Sequence, residues 1–245
     1  MRLAETKAIV TGGSSGLGRA TAEGLLAAGA AVEVVDLGGA APEGAGLQRL
    51  DVTDGAAAAR AVAAAQERMG GLTALVNCAG IAFAEKTLAR DGPHDLARFE
   101  TAVAVNLTGS FNVARLAAAA MAGNAPDADG QRGVIVHTAS VAAFEGQKGQ
   151  VAYAASKGGI AGLVLPMARD LARAGIRVVG LAPGIFRTPM LEGLGEEVMA
   201  GLAADVPNPP RLGDPAEFAE AVRFCISCGY LNGTVIRLDG ALRMR

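Results

Sequence analysis

The chain has 245 residues, 51% hydrophobic and 19% charged, a composition that supplies a sizeable core and excludes disorder. A formal net charge of −2 gives no electrostatic basis for nucleic-acid binding. No run approaches the roughly 18 apolar residues of a membrane span, and the opening MRLAETKAIVTGG lacks the apolar stretch of a signal peptide, so a cytoplasmic protein is expected.

Short β-branched runs alternate with longer Ala-rich segments along the whole chain. Strands are expected at 7–11, 31–36, 47–52, 73–77, 133–140, 176–184 and 233–240, and helices at 15–28, 54–69, 95–121, 151–174 and 214–227. Near-continuous apolar strands separated by helices predict one α/β domain over 1–245: a doubly wound parallel sheet of about seven strands with helices on both faces. Between Asp36 and the third strand, LGGAAPEGAG is too short for a crossover helix, and a single turn or bare loop is expected there. The polar loop at 123–133 is too short to divide domains. Three cysteines make no disulfide framework: Cys225 and Cys228 form a C-x-x-C without a second ligand pair, and Cys78 reads as a small buried residue. His94 and His137 lack spaced partners, so no metal site is expected.

The first strand runs into a turn with Gly12, Gly16 and Gly18 at the spacing G-x-x-x-G-x-G, followed by a helix and a second strand ending in Asp36. This is a variant of the dinucleotide fingerprint of a Rossmann domain, with Ser14, Ser15 and Leu17 completing the turn. A tight turn lets backbone approach a pyrophosphate, and the helix N-terminus points N–H groups at it. Asp36 can accept from adenosine ribose hydroxyls, and its neighbours Ser14, Ser15, Leu37 and Gly38 offer no cation for a 2′-phosphate, so NAD is favoured over NADP. Asp51, followed by Val52, could contact adenine or cap the helix opening near Thr53.

The chain holds two tyrosines and four lysines, yet Tyr153 and Lys157 stand at i, i+4, one turn apart on one helix face. The glycine turn, NCAG at 77–80, Ser140 ahead of Tyr153-x-x-x-Lys157, and APG at 182–184 together resemble the short-chain dehydrogenase/reductase superfamily over essentially the whole chain. The resemblance implies a tetrad of Asn106, Ser140, Tyr153 and Lys157. It also implies an NAD site that takes in Val52, Asn77, Ala79, Gly80, Pro183, Gly184, Ile185 and Thr188, with Lys157 on the nicotinamide ribose and Asn106 in a water relay. Cys78 departs from the commoner second Asn of that family. Oxidising an alcohol requires a base for the hydroxyl proton, and a phenol titrating near pH 10 is a poor one unless its anion is stabilised. Lys157 and an oxidised nicotinamide are expected to lower the Tyr153 pKa, and Ser140 to hold the substrate oxygen.

Within the superfamily, QRGVIVHTASVAAFEGQKGQVAYAASKGGI, ARDLARAGIRVVGLAPGIFRTPML and LNGTVIRLDGALRM resemble the type II 3-hydroxyacyl-CoA dehydrogenases. That resemblance implies interconversion of 3-hydroxyacyl-CoA and 3-oxoacyl-CoA in fatty acid metabolism, and a homotetramer. Gln150, Lys86, Arg90, Arg187 and Arg211 are then substrate contacts, the four cations meeting CoA, and 185–211 is a Pro-stiffened lid. Three alternatives stand beside it: a 3-oxoacyl-carrier-protein reductase, usually NADP-dependent; a hydroxysteroid dehydrogenase; and a non-catalytic dinucleotide sensor, against which the paired Tyr153 and Lys157 argue.

Overall fold

The strands expected from the β-branched runs assemble, in a computed structural model describing residues 1–192 and 195–244, into one seven-stranded parallel sheet. In chain order the elements are β1 (Lys7–Thr11), α1 (Gly16–Ala27), β2 (Ala31–Asp36), β3 (Gly46–Arg49), α2 (Gly55–Met69), β4 (Ala74–Asn77) and a small antiparallel ribbon of β5 (Leu88–Ala89) and β6 (Gly92–Pro93). Then come α3 (Leu96–Val103), α4 (Ser110–Ala122), β7 (Gly133–Thr138), α5 (Val151–Asp170), β8 (Ile176–Pro183), α6 (Pro189–Glu192), α7 (Glu196–Ala204), α8 (Pro215–Ser227) and β9 (Val235–Leu238). The sheet order is β3-β2-β1-β4-β7-β8-β9. Strand order therefore reverses between β1 and β4, the place where doubly wound sheets open a crevice at the carboxyl ends of their strands.

The two faces divide along each strand with period two. Ile9, Val35, Leu75, Ile135 and Val178 pack beneath α2, α4 and α5, while Val10, Val34, Val76, Val136 and Val179 pack beneath α1 and α8. Both faces are covered by helices, which is why the strands read as continuous apolar runs rather than as alternation. By length and composition alone α5 could cross a membrane, contrary to the expectation that no segment could. Here it lies on the sheet and buries Ala152, Ile160, Val164, Met167 and the side chain of Lys157.

Three local expectations change. The helix expected over 95–121 is α3, a six-residue π-helical segment (Ala104–Gly109) and α4. At Gly109 a Cβ would stand 2.6 Å from a Val52 methyl, so the backbone there passes close under the segment between β3 and α2. Strand β3 stops at Arg49, because Asp51 folds back to accept from the Thr53 N–H and hydroxyl at 2.9 and 2.8 Å. Asp51 therefore does not cap α2; Asp54 does, accepting from Ala56 and Ala57 at 2.9 Å each. The loop from 37 to 45 carries no helix, as expected from its length and glycines.

Arg177, on β8, is 4% exposed and fastens the end of α8 to the sheet. Its guanidinium donates to the carbonyls of Cys225 at 2.8 Å, Ile226 at 2.7 Å and Leu231 at 2.9 Å, and to the Gln131 amide oxygen at 2.8 Å. A fixed cation among the last carbonyls of a helix opposes the helix dipole and satisfies oxygens that have no partner within the helix. Arg177→Met would leave those buried carbonyls without donors. Urea denaturation should show a loss of about 3 kcal/mol or more, since each orphaned group costs about 1–3 kcal/mol; a loss under about 1 kcal/mol would contradict the role.

Candidate active site

A cleft of about 600 Å³ opens at the carboxyl ends of the strands. One end is built from backbone. Gly12 adopts φ +66°, and a Cβ on it would stand 2.8 Å from the Ala79 nitrogen; a Cβ on Gly18 would run into the Gly12 carbonyl oxygen. Only glycine lets the turn, β4 and α1 close to this distance. Ser15 begins α1 without capping it through its side chain, so the first N–H groups of the helix remain available to an anion at the cleft wall formed by Ser15, Gly16 and Leu17. Thr11 secures the opposite lip: its hydroxyl accepts from the Cys78 and Ala79 N–H groups at 3.1 Å each.

Asp36 stands at the mouth of this end beside Asp51 and Val52, all three in the wall. Its carboxylate accepts from the Ser14 N–H at 3.0 Å and the Gly38 N–H at 3.2 Å, which fixes it without neutralising it. Ser14 thus contributes backbone to the site from outside the wall, and its own buried hydroxyl has no partner among the described residues. The expectation that Asp36 lacks cationic company needs correction. Arg49, paired with Asp36 in the β2–β3 register, swings over the following loop and donates to the carbonyls of Leu37 at 3.4 Å and Gly39 at 2.7 Å. Thirteen positions separate the two residues in sequence, and only strand pairing brings them together.

The other end is built from side chains. Ser140, Gln150, Tyr153 and Lys157 line it, with Ala79, Gly80, Pro183, Gly184, Ile185 and Thr188 between the two ends. Lys157 is 4% exposed, and its ammonium donates to the Thr138 carbonyl at 2.7 Å. Burial pulls its pKa down to about 8. The Tyr153 ring lies 5.8 Å from that nitrogen. Burial pushes the phenol above its ordinary value, and the hydrogen bond with Ser140 draws it partly back. The expectation that Lys157 lowers the Tyr153 pKa is therefore not met in this state, because loss of solvent outweighs every stabilisation of the phenolate. Burial likewise raises Cys78, whose sulfur accepts from the Thr138 hydroxyl at 3.5 Å, and lowers His137 to about 4.

Asn77 and Asn106 stand behind the wall. Asn106 clamps the backbone of Ile81, its oxygen accepting from Ile81 N at 2.8 Å and its amide donating to Ile81 O and Ser156 Oγ at 2.9 Å each. Asn77, 2% exposed, donates to Ser110 O at 3.2 Å and lies 3.3 Å from His137 Nδ1. The cations expected at CoA are less well placed. Lys86, Arg90, Arg187 and Arg211 are all exposed, and none lines the cleft. Arg211 is engaged elsewhere, donating to both Glu217 oxygens at 2.8 and 2.7 Å in the wall of a separate cavity of about 120 Å³. The segment expected as a lid, 185–211, carries α6 and α7 and contributes Ile185, Phe186, Thr188, Pro189 and Leu191 to the cleft; its residues 193–194 lie outside the described residues. Thr138, Phe83, Phe186 and Met244 also line the cleft and carry no motif that would have marked them.

The family model described as short chain dehydrogenase matches residues 6–198. The chain is 52% identical over 249 residues to 3-hydroxyacyl-CoA dehydrogenase type-2 of Homo sapiens, covering 97% of this chain and 95% of that one. It is 37% identical over 238 residues to the 3-oxoacyl-[acyl-carrier-protein] reductase MabA of Mycobacterium tuberculosis, at 96% and 92% coverage. The crystal structure of 3-hydroxyacyl-CoA dehydrogenase type-2 from Mycobacterium avium superposes with a TM-score of 0.91 at 42% identity, over 98% of this chain and 96% of that one. With the glycine turn, the acid ending β2 and the Ser140–Tyr153–Lys157 set in one cleft, this chain belongs to the short chain dehydrogenase family and is an oxidoreductase of alcohol groups that works with a nicotinamide dinucleotide.

Proposed function

We propose that the protein is an NAD-dependent 3-hydroxyacyl-CoA dehydrogenase, interconverting 3-hydroxyacyl-CoA and 3-oxoacyl-CoA with Tyr153 as the general acid/base. The observation that carries the chemistry is the convergence of Ser140, Tyr153 and Lys157 on one end of a cleft whose far end presents Asp36. The substrate class is supported by relatives bearing that name at about half identity over nearly the full chain. The bound dinucleotide supplies the hydride exchange. The chain's own groups manage the proton. With its pKa pushed up by burial, the phenol of Tyr153 is protonated at neutral pH and placed to give its proton to a carbonyl oxygen in reduction. The Ser140 hydroxyl, which also accepts from Ala142 N at 3.1 Å, holds that oxygen against it. Lys157, charged below about pH 8, supplies the positive charge that a transient phenolate requires. Asn106 keeps the 79–81 segment, and so the cleft wall, in register.

The CoA moiety would remain outside the cleft, where Lys86, Arg90 and Arg187 are exposed; Arg211, taken by Glu217, is not in that set. Exposed Phe111, Leu165 and Phe224 on α4, α5 and α8 support assembly into a homotetramer. A second reading, reduction of carrier-protein thioesters, is favoured by Arg49 beside Asp36 and by the 37% identical relative. Initial rates on acetoacetyl-CoA, its 2-methyl analogue, a carrier-protein thioester and a ketosteroid, each with NADH and NADPH, decide between them.

Because the Asp36 carboxylate accepts from ribose hydroxyls and repels a 2′-phosphate, kcat/KM should favour NADH over NADPH by at least about tenfold, or about 1.4 kcal/mol. Equal efficiency with both would sink the NAD reading. Tyr153→Phe keeps the ring and removes the proton, so turnover should fall by about 10²–10⁴-fold with NADH affinity nearly intact; near-normal turnover would refute the mechanism. Lys157→Met separates function from stability. With the folded pKa at about 8 against 10.5 for the free side chain, the unfolded chain binds the proton more tightly. The charged lysine is therefore destabilising at full strength below pH 8, and that cost disappears as pH rises through 8 toward 10.5. Lys157→Met should abolish turnover yet raise the urea-derived stability at pH 7 by about 1–2 kcal/mol, after allowing for the lost Thr138 bond, with the gain shrinking above pH 8. A variant no more stable than the parent at pH 7 would contradict this account of Lys157.

A further inference from the structure

Five residues beyond Ser140 stands Glu145, where four charged side chains meet. Arg237 donates to its two carboxylate oxygens at 2.9 and 3.0 Å, to Asp239 Oδ2 at 2.7 Å and to the Leu242 carbonyl at 3.0 Å. Arg243 approaches Glu145 at 3.4 Å and donates to Asp239 Oδ2 at 3.2 Å. These contacts, Arg237 foremost, hold the Glu145 carboxyl below its ordinary range. The guanidinium of Arg237 also lies 5.5 Å from the Phe144 ring centroid. A tight turn joins this cluster to Ser140: Ala142 N donates to Ser140 Oγ at 3.1 Å, and Phe144 N and Glu145 N both donate to Val141 O at 3.0 Å. The segment following β9 is therefore fastened to the very turn that carries Ser140. Its Met244 forms part of the wall of the cleft that Ser140, Gln150 and Tyr153 line.

We infer that Met244 is a specificity-determining residue, an apolar stop at the Ser140 end of the cleft that limits the length of the substrate's carbon chain, and that Glu145 is a positioning residue that holds it there through Arg237 and Arg243. An unbranched thioether suits this place, since it adapts its shape to an irregular apolar wall. The fastening must be ionic because the residues that make it are half-buried or exposed, where one apolar contact would not fix a chain segment against solvent. The inference rests on the dehydrogenase reading above for the nature of the chain it measures.

The test compares kcat/KM with NADH for acetoacetyl-CoA and 3-oxooctanoyl-CoA, and in parallel for 2-butanone and 2-octanone, which carry no CoA. Met244→Ala should raise the long-to-short ratio by about tenfold in both series, in line with the discrimination one or two methylenes make in an apolar pocket. Glu145→Gln should move the ratio the same way by less. The double variant should go no further than Met244→Ala alone, and Met244→Leu should return the ratio to that of the parent. A Met244→Ala ratio within about twofold of the parent, or a uniform loss of rate at all chain lengths, would overturn the inference. A parent enzyme inactive on both CoA thioesters, with the ratio still shifted on the ketones, would sink the acyl-CoA reading and leave Met244 in its role.

Discussion

The ammonium of Lys157 is a charge that the fold has taken out of water and given one carbonyl, that of Thr138, as its direct partner. Most of the site follows from that choice. Desolvation acts on every titratable group around it, and each responds by giving up its charge: the Cys78 thiol and Tyr153 phenol are pushed up, and His137 is pushed down to about 4. Lys157, drawn only to about 8, remains the charged one at neutral pH. A lone cation among neutral groups in a low dielectric acts on a nascent anion far more strongly than a solvated one would. The cost falls on stability, which is the usual condition of a preorganised site.

Holding that charge in place requires α5 and the sheet edge to keep a fixed separation, and a buried polar seam provides it. His137 on β7 meets Asn77 on β4; Asn77 donates to Ser110 O on α4, and Ser110 Oγ donates to Asn106 O. Asn106 donates to Ser156 on α5, whose hydroxyl donates to the Tyr153 carbonyl. The π-helical segment that carries Asn106 lies in the middle of this chain of bonds. Such insertions are frequent at functional sites, and here the side chain it presents is spent on the backbone of Ile81. The side chains of His137, Asn77, Ser110, Asn106 and Ser156 are buried, so a loss anywhere along the seam leaves an unpaired group. His137 Nε2, which has no partner among the described residues, closes the seam at its far end.

The parts of the fold that local chemistry dictates were legible in the sequence. The strands β1 and β2 and the helices α1, α2 and α8 stand within a residue of their expected limits, because apolar runs, caps and glycine turns are local signals. What was not legible depends on pairing across the chain. Arg49 meets the Asp36 loop only through β2–β3 register. Arg211 is taken by an ion pair with Glu217, the acid that also closes the capping box of α8, and its residue type alone does not show that engagement. The ribbon of β5 and β6 is too short to carry a period, and the π-helical widening preserves the apolar pattern that reads as one long helix. The direction of the Tyr153 shift was missed for a related reason: a pair of residue types shows the attraction between them but not the depth at which it acts.

The two ends of the cleft differ in how they are encoded, and the difference bears on what each can change. The glycine-turn end is made of backbone N–H groups and close glycine contacts between neighbouring segments, so nearly any substitution at Gly12 or Gly18 meets main-chain atoms. Its one adjustable element is the acid at the end of β2, set against the arginine beside it. The Tyr153 end is made of residues brought from β7, α5, the segment after β8 and the residues after β9. None of these is forced by backbone geometry, and the outermost are fixed by ion pairs rather than by the core. Their substitution changes the shape of the wall while the sheet and the buried ammonium stay where they are. A chain built in this way can keep the arrangement of Ser140, Tyr153 and Lys157 constant while the shape of the wall around it changes.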